Sequence, residues 1–369
     1  MIESYEDFPE MNEILDLANQ VAPDEVHIRG WVRCGDRDFP LVNFSFGEEG
    51  PGHPQLILTG GVHGLEKVGT HVLISFLKAF IALRSWDKQT QHFLENCGLH
   101  IMPLVNPVGM YRGYRSNGNG VDLMRNSPVE STSKVYPFVG GQRFSRYFPW
   151  YRGKEKNGLE RESKIMCEFV QEKLATSPVT IALDLHSGFG TQDRVWFPYA
   201  YSFNEFPDCH RLYALKEMFD TTHPEHRYII EPQSHQYTTH GDLWDYLYIE
   251  HSVMGKGAGR PFIPICLEMG SWAWVKKNPR QFFTLIGLFN PMLPHRLERT
   301  LRRHRSLLDF FMRAIQSPET WSSLSKEELE EYRALAIGKW YQDPRAEQLQ
   351  IEKSDTADDD QDFDLEQVG

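Results

Sequence analysis

Three apolar runs in this chain each lead, directly or through a short glycine turn, into a histidine or a glutamate, and that repetition constrains the fold more than any other feature. The runs are 55–59 (QLILT, then GGVHGLEKVG), 179–185 (then His186) and 261–267 (then Glu268). Short apolar runs of this kind suit strands of an α/β sheet covered on both faces, where ligand sites form beyond the carboxyl ends of the strands. Gly60, Gly61 and Gly64 let the backbone turn sharply after the first run and approach an ion closely. His63, Glu66 and His186 supply two imidazoles and one carboxylate, a common three-ligand set for catalytic Zn²⁺ that leaves the fourth position for water. Glu268, at the end of another apolar run, is placed to take that water's proton. Asp184 or a backbone carbonyl is available to orient an imidazole. The chemistry implied is zinc-dependent hydrolysis of an amide bond, with one Zn²⁺ per chain.

The rest of the chain fits that sheet. Periodicity predicts an amphipathic helix over 5–22 and a hairpin over 26–46, then a helix over 65–83 and strands at 99–105 and 194–199. Helices are expected at 160–174, 204–219, 242–248 and 279–289. A basic helix over 296–315 carries the apolar stripe Leu297, Leu301, Leu307, Leu308 and Phe311, which predicts packing on the sheet with its arginines in water. Ser325 and Glu328 have capping-box spacing and open a last helix. The fold class expected is α/β, a mixed, largely parallel central sheet flanked by helices on both faces. The expected organisation is an N-terminal helix and hairpin appendage at 1–50, a catalytic domain at 51–345 and an acidic disordered tail at 346–369.

Charge and composition narrow the partners. The chain's 369 residues are 40% apolar, enough for one large core. Its net charge is −12, of which residues 352–369 hold −7, eight acids against Lys353. The remaining −5 offers no basic face of the kind that nucleic acid requires. No window reaches the roughly 18 apolar residues of a membrane helix, so no membrane partner is expected. The first residues are acidic where a signal peptide is basic, and the five cysteines form no CxxC pair. A cytoplasmic protein with reduced thiols is the expectation.

Two further segments carry a family resemblance. NPVGMYRGYRSNGNGVDLMRN, from Asn106 to Asn126, resembles the stretch of the zinc metallocarboxypeptidases (carboxypeptidase A/B-like) that runs from Asn-Pro to Gly-Val-Asp and Asn-Arg-Asn. YTTHGDLWDYLY, from Tyr237 to Tyr248, resembles their segment with a mobile tyrosine followed by Gly and then Asp-aromatic. The order of segments is the same, and the resemblance covers roughly residues 52 to 315. It implies that His63, Glu66 and His186 hold zinc and that Glu268 is general base and acid. It implies that Arg115 polarises the scissile carbonyl, Arg125 anchors a substrate carboxylate and Tyr237 closes over the substrate. Substrate-binding roles for Arg112, Asn126 and Trp244 come with it, Trp244 lining the pocket for the terminal side chain. One residue departs from the pattern: Met124 stands where the family usually has asparagine, and a thioether cannot donate to a carboxylate.

The implied activity is that of a carboxypeptidase acting on a peptide with a free carboxylate. A second reading is an N-acyl amino-acid amidohydrolase of the aspartoacylase and succinylglutamate desuccinylase type, which resembles the chain in the His-Gly-x-Glu and Asp-Leu-His segments. A third is a metal-binding protein without turnover; Glu268 and Arg115 beside the ligand set argue against it. The aromatic and basic stretch FSRYFPWYRG, residues 144–153, is expected to be a structured loop near the cleft.

Overall fold

The computed structural model describes residues 4–257 and 259–342. The strands are β1 (Val26–Cys34), β2 (Arg37–Gly47), β3 (Gln55–Gly60), β4 (Gly98–Met102), β5 (Thr180–Ser187), β6 (Arg194–Phe197), β7 (Ile229–Pro232) and β8 (Phe262–Met269). They form one sheet in the order β1-β2-β4-β3-β5-β8-β6-β7. The centre, β4-β3-β5-β8, is parallel, β6 and β7 pair parallel to each other, and the remaining pairings are antiparallel. Every residue of β3, β4 and β5 is buried, so both faces of the centre are covered.

The helices are α1 (Pro9–Ala18), α2 (Lys67–Leu83), α3 (Lys88–Asn96), α4 (Pro107–Arg112), α5 (Arg161–Leu174), α6 (Cys209–Thr222), α7 (Leu243–Tyr248), α8 (Trp272–Lys277), α9 (Leu285–Phe289), α10 (Pro294–Gln316) and α11 (Lys326–Trp340). α2 and α10 pack on each other and on β3 and β5, with α1 against α2 and α3 against α10. α5 packs on β1 and α7, and α7 on β8. Leu307, Leu308 and Phe311 of α10 are buried as the apolar stripe predicts, and the capping box at Ser325 and Glu328 forms.

The N-terminal hairpin is not an appendage. β2 pairs with β4 through Phe44↔Ile101, so the hairpin extends the central sheet, and Phe39, Leu41 and Phe44 lie in the common core. Alternation within 26–46 shows a hairpin but not its partner, which is why the sequence left it outside the domain. The helix expected over 279–289 is broken: a 3₁₀ turn covers Pro279–Phe283 and α9 begins afresh, because Thr284 caps it by accepting from the Gly287 amide at 3.2 Å. The acidic tail lies outside the described residues.

Candidate metal centre and active site

β3, β5 and β8 end side by side, and that common edge assembles the site. His63 follows β3, and Glu66 immediately precedes α2. His186 and Glu268 are register partners on the adjacent parallel strands β5 and β8. The turn after β3 needs glycine at position 64, where a Cβ would lie 2.0 Å from the carbonyl carbon of Gly109.

The ligand set closes tightly. His63 Nδ1 lies 2.9 Å from Glu66 Oε1, His186 Nδ1 lies 3.1 Å from Glu66 Oε2, and the two Nδ1 atoms are 3.2 Å apart. A tetrahedron with metal–ligand bonds of about 2.0–2.1 Å has edges of about 3.3 Å, so the donor atoms fit a zinc ion between them. Each imidazole presents Nδ1 to this point and is held from behind through Nε2: His63 by Asp122 Oδ1 at 3.0 Å, His186 by Asp184 Oδ2 at 2.7 Å. Such carboxylates fix the ring orientation and raise ligand basicity. Asp184 is itself held by the Thr59 hydroxyl and the Trp244 indole N–H.

Burial raises the cost of every charge in this cluster, and neighbours decide the outcome. Burial would push Glu66 up, but His63 and His186 hold its carboxyl well below the usual range. Burial works against protonated His186, yet Asp184 and Glu66 raise it well above an ordinary imidazole. Asp122 is held far down, against its burial, by Arg115 and His63. Glu268 goes the other way: burial and the Glu66 charge push it up to about 8. Its Oε1 accepts from the Phe189 amide at 2.9 Å, which fixes the carboxyl beside the ligands.

The arginines divide. Arg115 donates through Nη1 to Glu66 and through Nε to Asp122, at 2.9 and 2.8 Å, and its Nη2 makes no hydrogen bond among the described residues. Arg125 is buried, 3% exposed, yet it has no carboxylate within 4 Å among the described residues, and its Nε is unpartnered. Among the described residues its one side-chain hydrogen bond is a long contact to the Met124 carbonyl at 3.4 Å. Asp242 and Asp245 lie near, but they accept from backbone amides instead: Asp242 caps α7, and Asp245 binds the amides of Ala200 and Tyr201. Tyr237 covers Arg125, ring centroid 6.0 Å from Cζ, and packs against Phe189 and Trp196. Burial pushes its phenol up to about 12, so it stays a neutral donor. The loop at 144–153 holds the backbone of Arg125, with Arg152 Nε donating to the Arg125 carbonyl. Gly241 is required opposite, since a Cβ there would meet that same carbonyl oxygen at 2.0 Å.

The expected substrate contacts Arg112, Asn126 and Trp244 are placed differently from one another. Arg112 is exposed at the end of α4, where Gly113 in the left-handed conformation turns the chain away, and it lines a separate cavity with Arg33 and Arg161. The Asn126 amide is spent on the backbone, donating to the Arg152 carbonyl and accepting from the Glu160 N–H. Trp244 is buried with its N–H on Asp184; with Met124, Asp242 and Cys266 it lines a cavity of only about 20 Å³. Asp122 is the polar residue that sequence reasoning missed, although it stands in the quoted Gly-Val-Asp segment.

A model of the zinc carboxypeptidases matches residues 11–270, more than half of the chain. The chain belongs to the zinc carboxypeptidase family. Members of this family are zinc metallohydrolases, as the His-Glu-His donor set here suits. Curated relatives include carboxypeptidase SOL1 of Arabidopsis thaliana, 27% identical over 53% of this chain and 38% of that protein. Carboxypeptidase E of Caenorhabditis elegans is 34% identical over 40% of this chain and 34% of its own length. The chain thus spans well under half of these relatives. Among solved structures, thrombin activatable fibrinolysis inhibitor superposes with a TM-score of 0.60 at 18% identity, covering 83% of this chain and 74% of that one. Carboxypeptidase A of Helicoverpa armigera gives 0.58 at 17% identity, over 86% and 74%. These likenesses establish the fold.

Proposed function

We propose that this chain is a zinc carboxypeptidase that removes a C-terminal residue from a peptide. The observation that carries the reading is Arg125, a buried guanidinium without a carboxylate partner among the described residues, beside a zinc-fitting triad. An uncompensated buried charge is costly, and a substrate carboxylate in that place would supply the missing partner.

His63, Glu66 and His186 would hold the metal, with Asp122 and Asp184 orienting the imidazoles. Zinc bound there supplies Lewis acidity and brings the pKa of a coordinated water toward 7. Glu268 receives a proton from the attacking water on its carboxylate and returns it to the leaving amine nitrogen. Arg115 is anchored by Glu66 and Asp122 and offers its remaining N–H groups to the oxyanion that develops on the scissile carbonyl. Arg125 fixes the terminal carboxylate as a fork-shaped donor. Tyr237, over Arg125, covers the bound terminus and excludes water.

A second reading, hydrolysis of N-acyl amino acids, is favoured by Met124 and by the cavity of about 20 Å³ next to it, which leaves little room for a large terminal side chain. The discriminating experiment offers the purified chain matched peptides with free and amidated C-termini, and N-acetyl and N-succinyl amino acids, with and without a chelator. The proposal expects chelator-sensitive release of the last residue from the free-acid peptide alone. Equal cleavage of free and amidated peptides would overturn exopeptidase recognition, and preference for the acyl amino acids would transfer the site to the second reading.

A further inference from the structure

A concentration of unpaired positive charge lies away from the metal centre. A cavity of about 870 Å³ runs between α10, α8 and the segment before β7. Arg296, Arg299 and Arg303 from α10 line it, together with Lys277 and Arg227. Asp193 and Glu225 are its acids, and Asp193 is taken up by Arg303 and by the amide of Gly270. Among the described residues no salt bridge holds Arg227, Lys277, Arg296 or Arg299. The chain as a whole carries −12, so this groove stands against the general sign of the molecule.

A second cavity, about 510 Å³, adjoins the first and shares Pro224, His226 and Tyr228 with it. Its other end is lined by Lys339, in the last turn of α11 and three residues before the end of the described chain at Gln342. A path therefore leads from the end of α11, past β7, into the cationic groove. The residues that follow in the sequence have the complementary sign: 352–369 hold eight acids and one lysine. The nine residues from 343 to 351 can span roughly 30 Å when extended.

We propose that the acidic segment 352–369 is the ligand of this groove, seated within its own chain against Lys277, Arg296 and Arg299. Seated there, it lies against residues 191–193 and Gly270, which follow the strands carrying His186 and Glu268. Attraction among exposed charges is screened over about 10 Å at 0.1 M salt and about 3 Å at 1 M, so the seat is salt-sensitive.

Carbodiimide coupling of the full chain tests this, because it joins a carboxylate to an amine only where the two touch. At low ionic strength, peptide mass spectrometry should find amide links from acids of 352–369 to Lys277, well above links from the same acids to exposed Lys164 on α5, which packs on β1 at the opposite edge of the sheet from β7. Both 0.5 M salt and the double variant Arg296→Glu/Arg299→Glu should lower the Lys277 links at least about fivefold. The salt series on the unaltered chain decides the matter if the variant fails to fold. Mixing ¹⁵N-labelled and unlabelled chains should give links within one isotope only. Links that cross isotopes would place the segment on a second copy, and Lys277 links no more abundant than those to Lys164 would leave the groove to an external acidic partner; either result overturns the proposal.

Discussion

The two halves of the active site are built on opposite principles. The charges of the ligands themselves are answered: His63 and His186 each bridge a ligand position and a supporting carboxylate, and Arg115 spans Glu66 and Asp122. Around Arg125 the charge is left open, with one long hydrogen bond and an unpartnered Nε in a buried setting. The first half is preorganised to hold an ion whose geometry is fixed. The second is completed by something that arrives from outside. Preorganised networks tolerate little loss, whereas an open anchor affects one class of ligand and spares others.

Substitutions can break or sharpen that contrast, and the largest effect is expected at the junction of the halves. Glu268→Gln should retain zinc and fold while kcat falls at least about 10²-fold, the scale of general acid–base catalysis; activity within a few fold of the parent would put the base elsewhere. Arg125→Ala comes next. A hydrogen bond to a charged group contributes about 1.5–3 kcal/mol, so kcat/KM on a free-acid peptide should drop about 10- to 150-fold while an amidated one is barely affected. A loss shared by both substrates would make Arg125 a packing residue. On the closed side, Asp122→Asn should weaken zinc binding about 10- to 100-fold, the usual cost of removing a group that orients a ligand, as read by competition with a chromophoric chelator. Unchanged affinity would mean that Arg115 and the backbone alone orient His63.

The smallest effect is on pH. In the metal-free chain His186 is raised well above the ordinary imidazole range by Asp184 and Glu66, so zinc must displace its proton near neutrality. Apparent zinc affinity should therefore fall as pH falls, by up to about tenfold per unit for one proton released. Calorimetry in buffers of different ionisation enthalpy measures that release, and pH-independent affinity between 6 and 8 would contradict the assignment.

The legibility of the sequence follows the same division. The ligands could be read because His186 stands at the end of one apolar strand, and His63 and Glu66 in the glycine-rich turn just after another. Asp122 escaped because it lies in an irregular segment and serves at once as cap of the turn at Leu123–Arg125 and as partner of His63, roles that only the assembled fold joins. Asn126 and Trp244 are expected as substrate contacts only through the family resemblance; the fold engages both in internal hydrogen bonds, which motif matching does not show. α4 was missed although its signals were present: Asn106 as cap, Pro107 in the first turn and Gly113 beyond its end. Six residues are too few for a helical period to show. β7 is short and lies at the sheet's edge, where the local pattern does not declare a partner.

The claim on which the rest depends is that His63, Glu66 and His186 form one zinc site. Metal analysis of the parent chain and of His186→Ala, after equilibration with limiting free zinc, addresses it directly. One zinc per chain in the parent and near-complete loss in the variant is the predicted result; stoichiometric zinc in His186→Ala would contradict it.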